Sequence, residues 1–201
     1  MTECLITDLS NKIQEDLRNK IISTDENFKI DSITIIAYKN QKLVELWFHQ
    51  TEKKYPIKIK EYPFTAFSGD IGPKLKSGDM QIPEGVYGIE YLNPNSLFYL
   101  SMKMSYPNEI DKIIGKKMRI SDMGDDIFIH GKNSSAGCIP IGDKAIEELF
   151  YCVGKIGASK VKIIISPYEL KNLLSNNSEI LNNKVFSKKY KRIENELKKY
   201  N

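Results

Sequence analysis

The run DSITIIAYKNQKLVELWFHQ, residues 31–50, constrains the fold most. Ile33 and Ile35, then Val44, Leu46 and Phe48, fall at every second position, and Asn40-Gln41 interrupts them. A period of two lines one face of an extended chain, so the run reads as two strands around a turn. KYPIKIKEYPFTAF continues in extended style. Pro56 and Pro63 hold it near an edge or turn, because proline gives a ladder no donor. GVYGIEYLN, SLFYLSM, MRISD, DDIFIH and SKVKIIIS are further strand candidates.

Helical periodicity appears in three places. Residues 5–22 carry Leu5, Leu9, Ile13, Leu17 and Ile21 along one face. DKAIEELFYCVGKI, residues 143–156, reads as a helix with Asp143 as N-cap. Residues 179–200 read as a lysine-rich terminal helix, with Lys188, Lys189, Lys191 and Arg192 expected on a solvated face. Many short strands with few helices give an α+β chain with a β-rich core.

Composition narrows the function classes. The chain has 201 residues, 41% hydrophobic and 28% charged, which suits one domain with a real core and excludes wholesale disorder. A net charge of +4 is too mild to announce a nucleic-acid binder. Cys4, Cys138 and Cys152 are far apart, without zinc-ligand spacing, so neither a disulfide scaffold nor a metal site is expected. The first residues hold no basic segment followed by an apolar run, so no secretory leader is read there. No stretch reaches the roughly 18 apolar residues of a membrane span. Residues 68–85, SGDIGPKLKSGDMQIPEG, form a long turn-rich loop that lacks the spacing of a phosphate-binding loop.

The chemistry gathers in FIHGKNSSAGCIPIGD, residues 128–143. His130 would sit at a strand end, Gly131 lets the chain turn, and Gly137 permits unusual angles immediately before Cys138. A cysteine attacks as thiolate and needs a base such as imidazole beside it. Amides of Ser135, Ala136, Gly137 and Cys138 are candidate donors to an oxyanion. No acid is placed to orient the imidazole; a backbone carbonyl such as that of Gly131 is a candidate. Spacing alone leaves two readings open, a catalytic pair or a buried histidine near an ordinary thiol. Cys152 lies among apolar helix residues and reads as core, Cys4 has no base nearby, and His49 in LWFHQ reads as structural.

His130-Gly131 followed by Ser135-Ala136-Gly137-Cys138 resembles the signature of the L,D-transpeptidase (YkuD-type) catalytic domain. GDMQIPEGVYGI resembles that family's glycine-rich segment. LNPNSLFYLSMKMSYPNEID, IHGKNSSAGC and the helix after it resemble the YafK-like branch. The likeness covers roughly residues 30–166. It divides the chain into an N-terminal helical extension (1–29), a catalytic domain (30–166) and a C-terminal helical extension (167–201). Two departures stand out: Pro140 stands where most members carry arginine, which the YafK-like branch also tends to lack, and Ala136 replaces a common histidine.

The resemblance implies a sandwich-like or barrel-like core and a cysteine acyl-enzyme. Cys138 would attack the meso-diaminopimelate carbonyl of a peptidoglycan stem peptide, with His130 as base and then acid. Ser135, Ala136 and Gly137 would shape the oxyanion turn, and Gly131 would orient His130. Lys132 and Tyr106 are candidate substrate contacts. The acyl acceptor would be an amine (meso-diaminopimelate, a D-amino acid or a protein lysine) or water. Water makes the enzyme an L,D-carboxypeptidase or amidase. No metal or other cofactor is implied. The family's place is the cell envelope or periplasm, which without a leader calls for export by another route or a leader already trimmed. A secreted antibacterial toxin with this chemistry and a non-catalytic wall-binding module are the alternatives.

Overall fold

The computed structural model describes residues 30–175 and 183–200; Cys4 and the helix expected over residues 5–22 lie outside them. The opening alternation becomes a hairpin of β1 (Ser32–Tyr38) and β2 (Leu43–His49), with Ile35 opposite Leu46. β3 (Ile57–Pro63) adds to β2, with a register shift between Leu46 and Trp47. β9 (Val161–Ser166) runs parallel to β1 on its other side. β4 (Gly85–Tyr87) borders β9, giving the order β3-β2-β1-β9-β4. A second sheet follows the order β5 (Ile89–Ser96), β6 (Tyr99–Met104), β7 (Phe128–His130) and β8 (Ile139–Pro140). Only Gly88 separates β4 from β5, so the chain crosses there from one sheet to the other. Both sheets mix parallel and antiparallel pairs, and they remain two sheets, not a closed barrel.

The main core includes Ile33, Ile35, Leu46 and Phe48 of the first sheet and Met102, Ile129 and Ile139 of the second. α2 (Asp143–Ile156) completes it with Ile146, Leu149, Phe150 and Val153, all at 0% exposure. Burying each such side chain stabilises by roughly 1.5–3 kcal/mol. β1 is covered on both faces. Ile36 and Tyr38 enter a second core with Ile164, Ile110, Ile114, Tyr190, Ile193 and Leu197. That is why β1 carries Ile36 and Tyr38 in addition to the alternating Ile33 and Ile35. The covering layer is α1 (Glu109–Met118), α3 (Leu170–Ser175) and α4 (Ser187–Leu197).

Three expectations are corrected. MRISD is not a strand. Met118 ends α1, and Arg119 at φ 56 caps it, its N–H reaching the Gly115 and Lys116 carbonyls. Asp143 opens α2 but does not cap it; Gly142 is the N-cap, and the Asp143 carboxylate accepts the Lys132 N–H at 2.8 Å instead. Lys189 is not on a solvated face. Lys188, Lys191 and Arg192 are exposed, whereas Lys189 is buried and paired with Asp111 of α1.

Lys189 belongs to a buried polar cluster that clamps the glycine-rich loop. Its ammonium also donates to the Glu84 carbonyl at 2.8 Å, and the Tyr190 hydroxyl donates to the Glu84 carboxylate at 2.8 Å. Lys39, fully buried, faces that carboxylate at 3.1 Å and donates to the carbonyls of Gly72 (2.6 Å) and Ile82 (2.9 Å). Buried charges persist only when paired and hydrogen-bonded, so this cluster fixes both ends of the loop.

Candidate active site

β7 and β8 pair in parallel, Ile129 beside Ile139 and His130 beside Pro140. Ile129 and Ile139 face the core, so the period of two sends His130 and Cys138 to the opposite side of the same sheet edge. The segment from Gly131 to Gly137 returns the chain between them. The return needs glycine at both ends. A Cβ on Gly131 would lie 2.8 Å from the Phe98 carbonyl oxygen and 2.6 Å from the Asp143 carboxylate. Gly137 adopts φ +111, which side chains rarely tolerate, with the Gln81 carbonyl 3.0 Å from where a Cβ would stand.

His130 is 1% exposed, and its Nδ1 lies 2.6 Å from the Gly131 carbonyl oxygen. A carbonyl only accepts, so Nδ1 carries the proton and Nε2 holds the lone pair of the neutral ring. Burial holds the imidazole below its ordinary pKa, with the Gly131 bond pulling weakly the other way. The Cys138 thiol is pushed up, by burial foremost and by Asp126, against the lowering effects of the Phe128 N–H and Lys74. Both groups are therefore neutral at pH 7. The sulfur's hydrogen-bond partners are the Phe128 N–H at 3.4 Å and the Asp126 carbonyl at 3.6 Å, not the imidazole. Nucleophile–base contacts in unliganded sites commonly tighten only when substrate arrives.

A ring of hydrogen bonds holds the backbone at Gly137 and Cys138. The Gly137 N–H donates to Ser68 Oγ at 2.8 Å, Ser68 and Ser135 hydroxyls meet at 2.8 Å, and Ser135 Oγ donates to the Cys138 carbonyl at 2.7 Å. The amide can only donate and the carbonyl can only accept, so Ser68 must be the donor to Ser135. Its direction is Gly137 N–H to Ser68, to Ser135, to Cys138 C=O. Ser68 comes from the turn-rich loop, 67 residues before Ser135. Nothing local in the sequence marks it. The ring also occupies the Gly137 N–H, one of the amides expected to face an oxyanion.

The other candidates fall differently. Ala136 is exposed at the turn. Lys132 is exposed at φ 56, and its ammonium donates to the Leu97 carbonyl at 2.7 Å. Tyr106 is not a surface contact: it is 3% exposed, its ring packs edge-on against Tyr87, and its hydroxyl donates to the Met123 carbonyl at 3.2 Å. The aromatic positions around YPN are core there, because cross-sheet packing takes the ring. Two open grooves among the described residues are of interest. One, of about 660 Å³, is lined by Ser77, Pro107, Lys112, Lys116, Met123 and Asp125. The other, about 580 Å³, is lined by Thr65, Lys132, Asn133, Gly142 and Asp143. Among the described residues no group of histidine, cysteine, aspartate or glutamate could hold a metal, and no helix is long and apolar enough to cross a membrane.

The family model of the YkuD L,D-transpeptidase catalytic domain matches residues 32–164, which takes in every strand and the whole His130–Cys138 turn except the last residues of β9. The chain belongs to that family. As a YkuD domain it is 28% identical over 143 residues to YafK of Escherichia coli (strain K12), provisionally named an L,D-transpeptidase. That match covers 69% of this chain and 55% of YafK, so the chain spans about half the length of the curated relatives it matches. Among solved structures, the YkuD fold here is similar to that of the helical cell shape determining protein Pgp2 from Campylobacter jejuni. The TM-score is 0.55 at 19% identity, over 84% of this chain and 56% of Pgp2. Bd1075 of Bdellovibrio bacteriovorus also matches, with TM-score 0.49 and 23% identity over 84% of this chain and 55% of Bd1075. YkuD domains act on peptidoglycan stem peptides.

Proposed function

We propose that this domain is a cysteine acyltransferase of peptidoglycan stem peptides, working in the cell envelope. One observation carries the reading: a neutral His130, its lone pair on Nε2, shares one face of a sheet edge with Cys138. As the sulfur attacks the meso-diaminopimelate carbonyl, His130 Nε2 takes the thiol proton. The proton passes to the nitrogen of the departing D-alanine as its C–N bond breaks, leaving a thioester on Cys138. An amine then attacks the thioester, giving its proton to His130 and the acyl group a new amide bond. The thiolate leaves and regains the proton. Water in place of the amine makes the product a free carboxylate.

Because burial raises the Cys138 thiol and keeps it protonated, base and nucleophile act in concert rather than as a standing ion pair. The Ser68–Ser135 ring supports the reading by fixing the carbonyl of Cys138 and the amide before it, which leaves turn amides other than that of Gly137 as the candidate oxyanion donors. Lys132, tied to Leu97 at the groove edge, is the candidate contact for a stem-peptide carboxylate.

The test is mass spectrometry of muropeptides incubated with the protein, with and without an added amine acceptor. Crosslinked or exchanged products are expected with acceptor, tripeptide with water alone, and neither with Cys138→Ala. Equal turnover by parent and Cys138→Ala would sink the reading. A wall-binding module without turnover is the second reading, favoured by the raised Cys138 thiol and by Pro140 in the place of the usual arginine. Binding of muropeptides left unchanged in mass would establish it.

A further inference from the structure

The tip of the β5–β6 hairpin lies over His130. Phe98 stands with its ring centroid 4.5 Å from that of the imidazole, the planes 37° apart. Three ties hold the tip. The Lys132 ammonium donates to the Leu97 carbonyl at 2.7 Å, the Gly131 N–H donates to the Leu100 carbonyl at 3.1 Å, and the Tyr99 hydroxyl bonds Glu147 of α2. Tyr99 sits at φ +74, a conformation a tyrosine keeps only where its surroundings impose it. The tip is apolar yet outward, with Leu97 87% exposed and Phe98 39% exposed, while His130 beneath is 1% exposed. One face of the Phe98 ring is thus given to a polar ring rather than to the core.

We propose that Phe98 is a positioning residue for the general base: its ring fixes the plane of the His130 imidazole and keeps water off that face. This rests on the acyl-transfer reading of the site. The Gly131 carbonyl fixes one edge of the imidazole, at Nδ1, but an edge contact leaves the ring free to tilt about it. A second ring laid against the face removes that freedom. With both in place, the plane of the ring, and with it the line on which Nε2 lies, is fixed.

Among the described residues, the charged and titratable groups on the elements next to His130 include Asp143 and Glu147 of α2, Lys132 of the turn, Cys138 immediately before β8, and Tyr99 of the hairpin itself. The Asp143 carboxylate accepts from the Lys132 amide, and Glu147 is engaged by Tyr99. Phe98 differs from all of these in acting by excluding solvent. Exclusion disfavours the charged imidazolium, while the attraction of a cation to a ring face favours it. The first effect dominates at a buried site, since burying a charge costs far more than one ring contact returns. The imidazole stays neutral, and so remains a base, to lower pH than a free one.

The experiment uses the full chain with Phe98→Ala, Phe98→Leu and Phe98→Tyr. The imidazole signal of His130 is followed by NMR through a pH titration and assigned by its loss in His130→Gln. Phe98→Ala is expected to titrate at higher pH than the parent, Phe98→Leu in between, and Phe98→Tyr like the parent. In muropeptide turnover, kcat of Phe98→Ala is expected to fall about tenfold with KM within about twofold, and Phe98→Tyr to restore it. An unchanged titration in Phe98→Ala overturns the proposal, and so does an unchanged kcat. Should Phe98→Ala not fold, Phe98→Leu carries both readouts. If the parent itself turns nothing over, the acyl-transfer reading fails, while the titration still decides what the ring does.

Discussion

Replacing Lys189 by methionine isolates the energetic role of the C-terminal helix. Lys189 is 3% exposed and its partner Asp111 is at 0%. Methionine fills most of the lysine's volume, so little cavity forms and the loss is electrostatic. Asp111 keeps the Asn108 N–H at 2.9 Å and a long contact to the Tyr87 hydroxyl at 3.5 Å, neither of which carries a positive charge. Removing one partner of a buried ion pair costs about 3–5 kcal/mol. The Glu84 carbonyl also loses a donor but keeps the Tyr87 hydroxyl at 2.9 Å, which adds little. A loss of about 3–5 kcal/mol is a large share of the roughly 5–15 kcal/mol that holds a domain folded, and lowers Tm by roughly 10 °C. Urea unfolding followed by tryptophan fluorescence measures it. Trp47 is the single tryptophan, and its ring meets that of Tyr200, just past α4, at 5.3 Å. Adding Asp111→Asn, which removes the orphaned charge, is expected to recover at least about half the loss. A single variant within about 1 kcal/mol of the parent, or a double variant no better than the single, would refute the argument that this cluster locks α4 to the loop.

Ser68→Ala opens the hydrogen-bond ring behind Cys138 and leaves the buried Gly137 N–H without its 2.8 Å acceptor. About 1–2 kcal/mol of stability is expected to go, with a fall of about tenfold or more in kcat and a smaller change in KM, read by urea unfolding and muropeptide kinetics. Gly131→Ala forces a methyl against the Phe98 carbonyl and the Asp143 carboxylate, so the hairpin tip must lift; turnover is expected to vanish, and the His130 NMR signal to move. Burial lowers the pKa of both His49 and His130, so the unfolded chain binds protons the folded one does not. Their contribution is full above about pH 6.5 and is lost as pH falls through the lower folded-state values; urea midpoints at stepped pH should decline there, less steeply in His130→Gln. The pH midpoint of Cys138 labelling by iodoacetamide should lie above that of an ordinary thiol, because burial raises it.

Some elements were written locally and others were not. The β1–β2 hairpin followed from alternation, and α2 from its periodicity. α1 also had a local signal, the capping pair Asn108 and Asp111 with Ile110 and Ile114 four apart, but reading MRISD as extended passed over it. Lys189 defeats composition altogether. A lysine in a lysine-rich helix is expected in water, and only a carboxylate 78 residues away makes its burial tolerable.

The sequence alone determined the β-rich α+β core, the glycine-rich loop and the His130–Gly131…Gly137–Cys138 turn with its family. Each depends on neighbours a few positions apart, where backbone period, glycine angles and motif spacing are decided. Only the tertiary structure decided that Ser68 closes the ring behind Cys138 and that Phe98 lies over His130. It alone placed Tyr106 in the core and closed Lys189 and Glu84 over the loop. Those pairings join residues from 17 to 105 positions apart. They form because two packed sheets and a helical layer exclude water, and inside them every polar group must find a partner that no local pattern names.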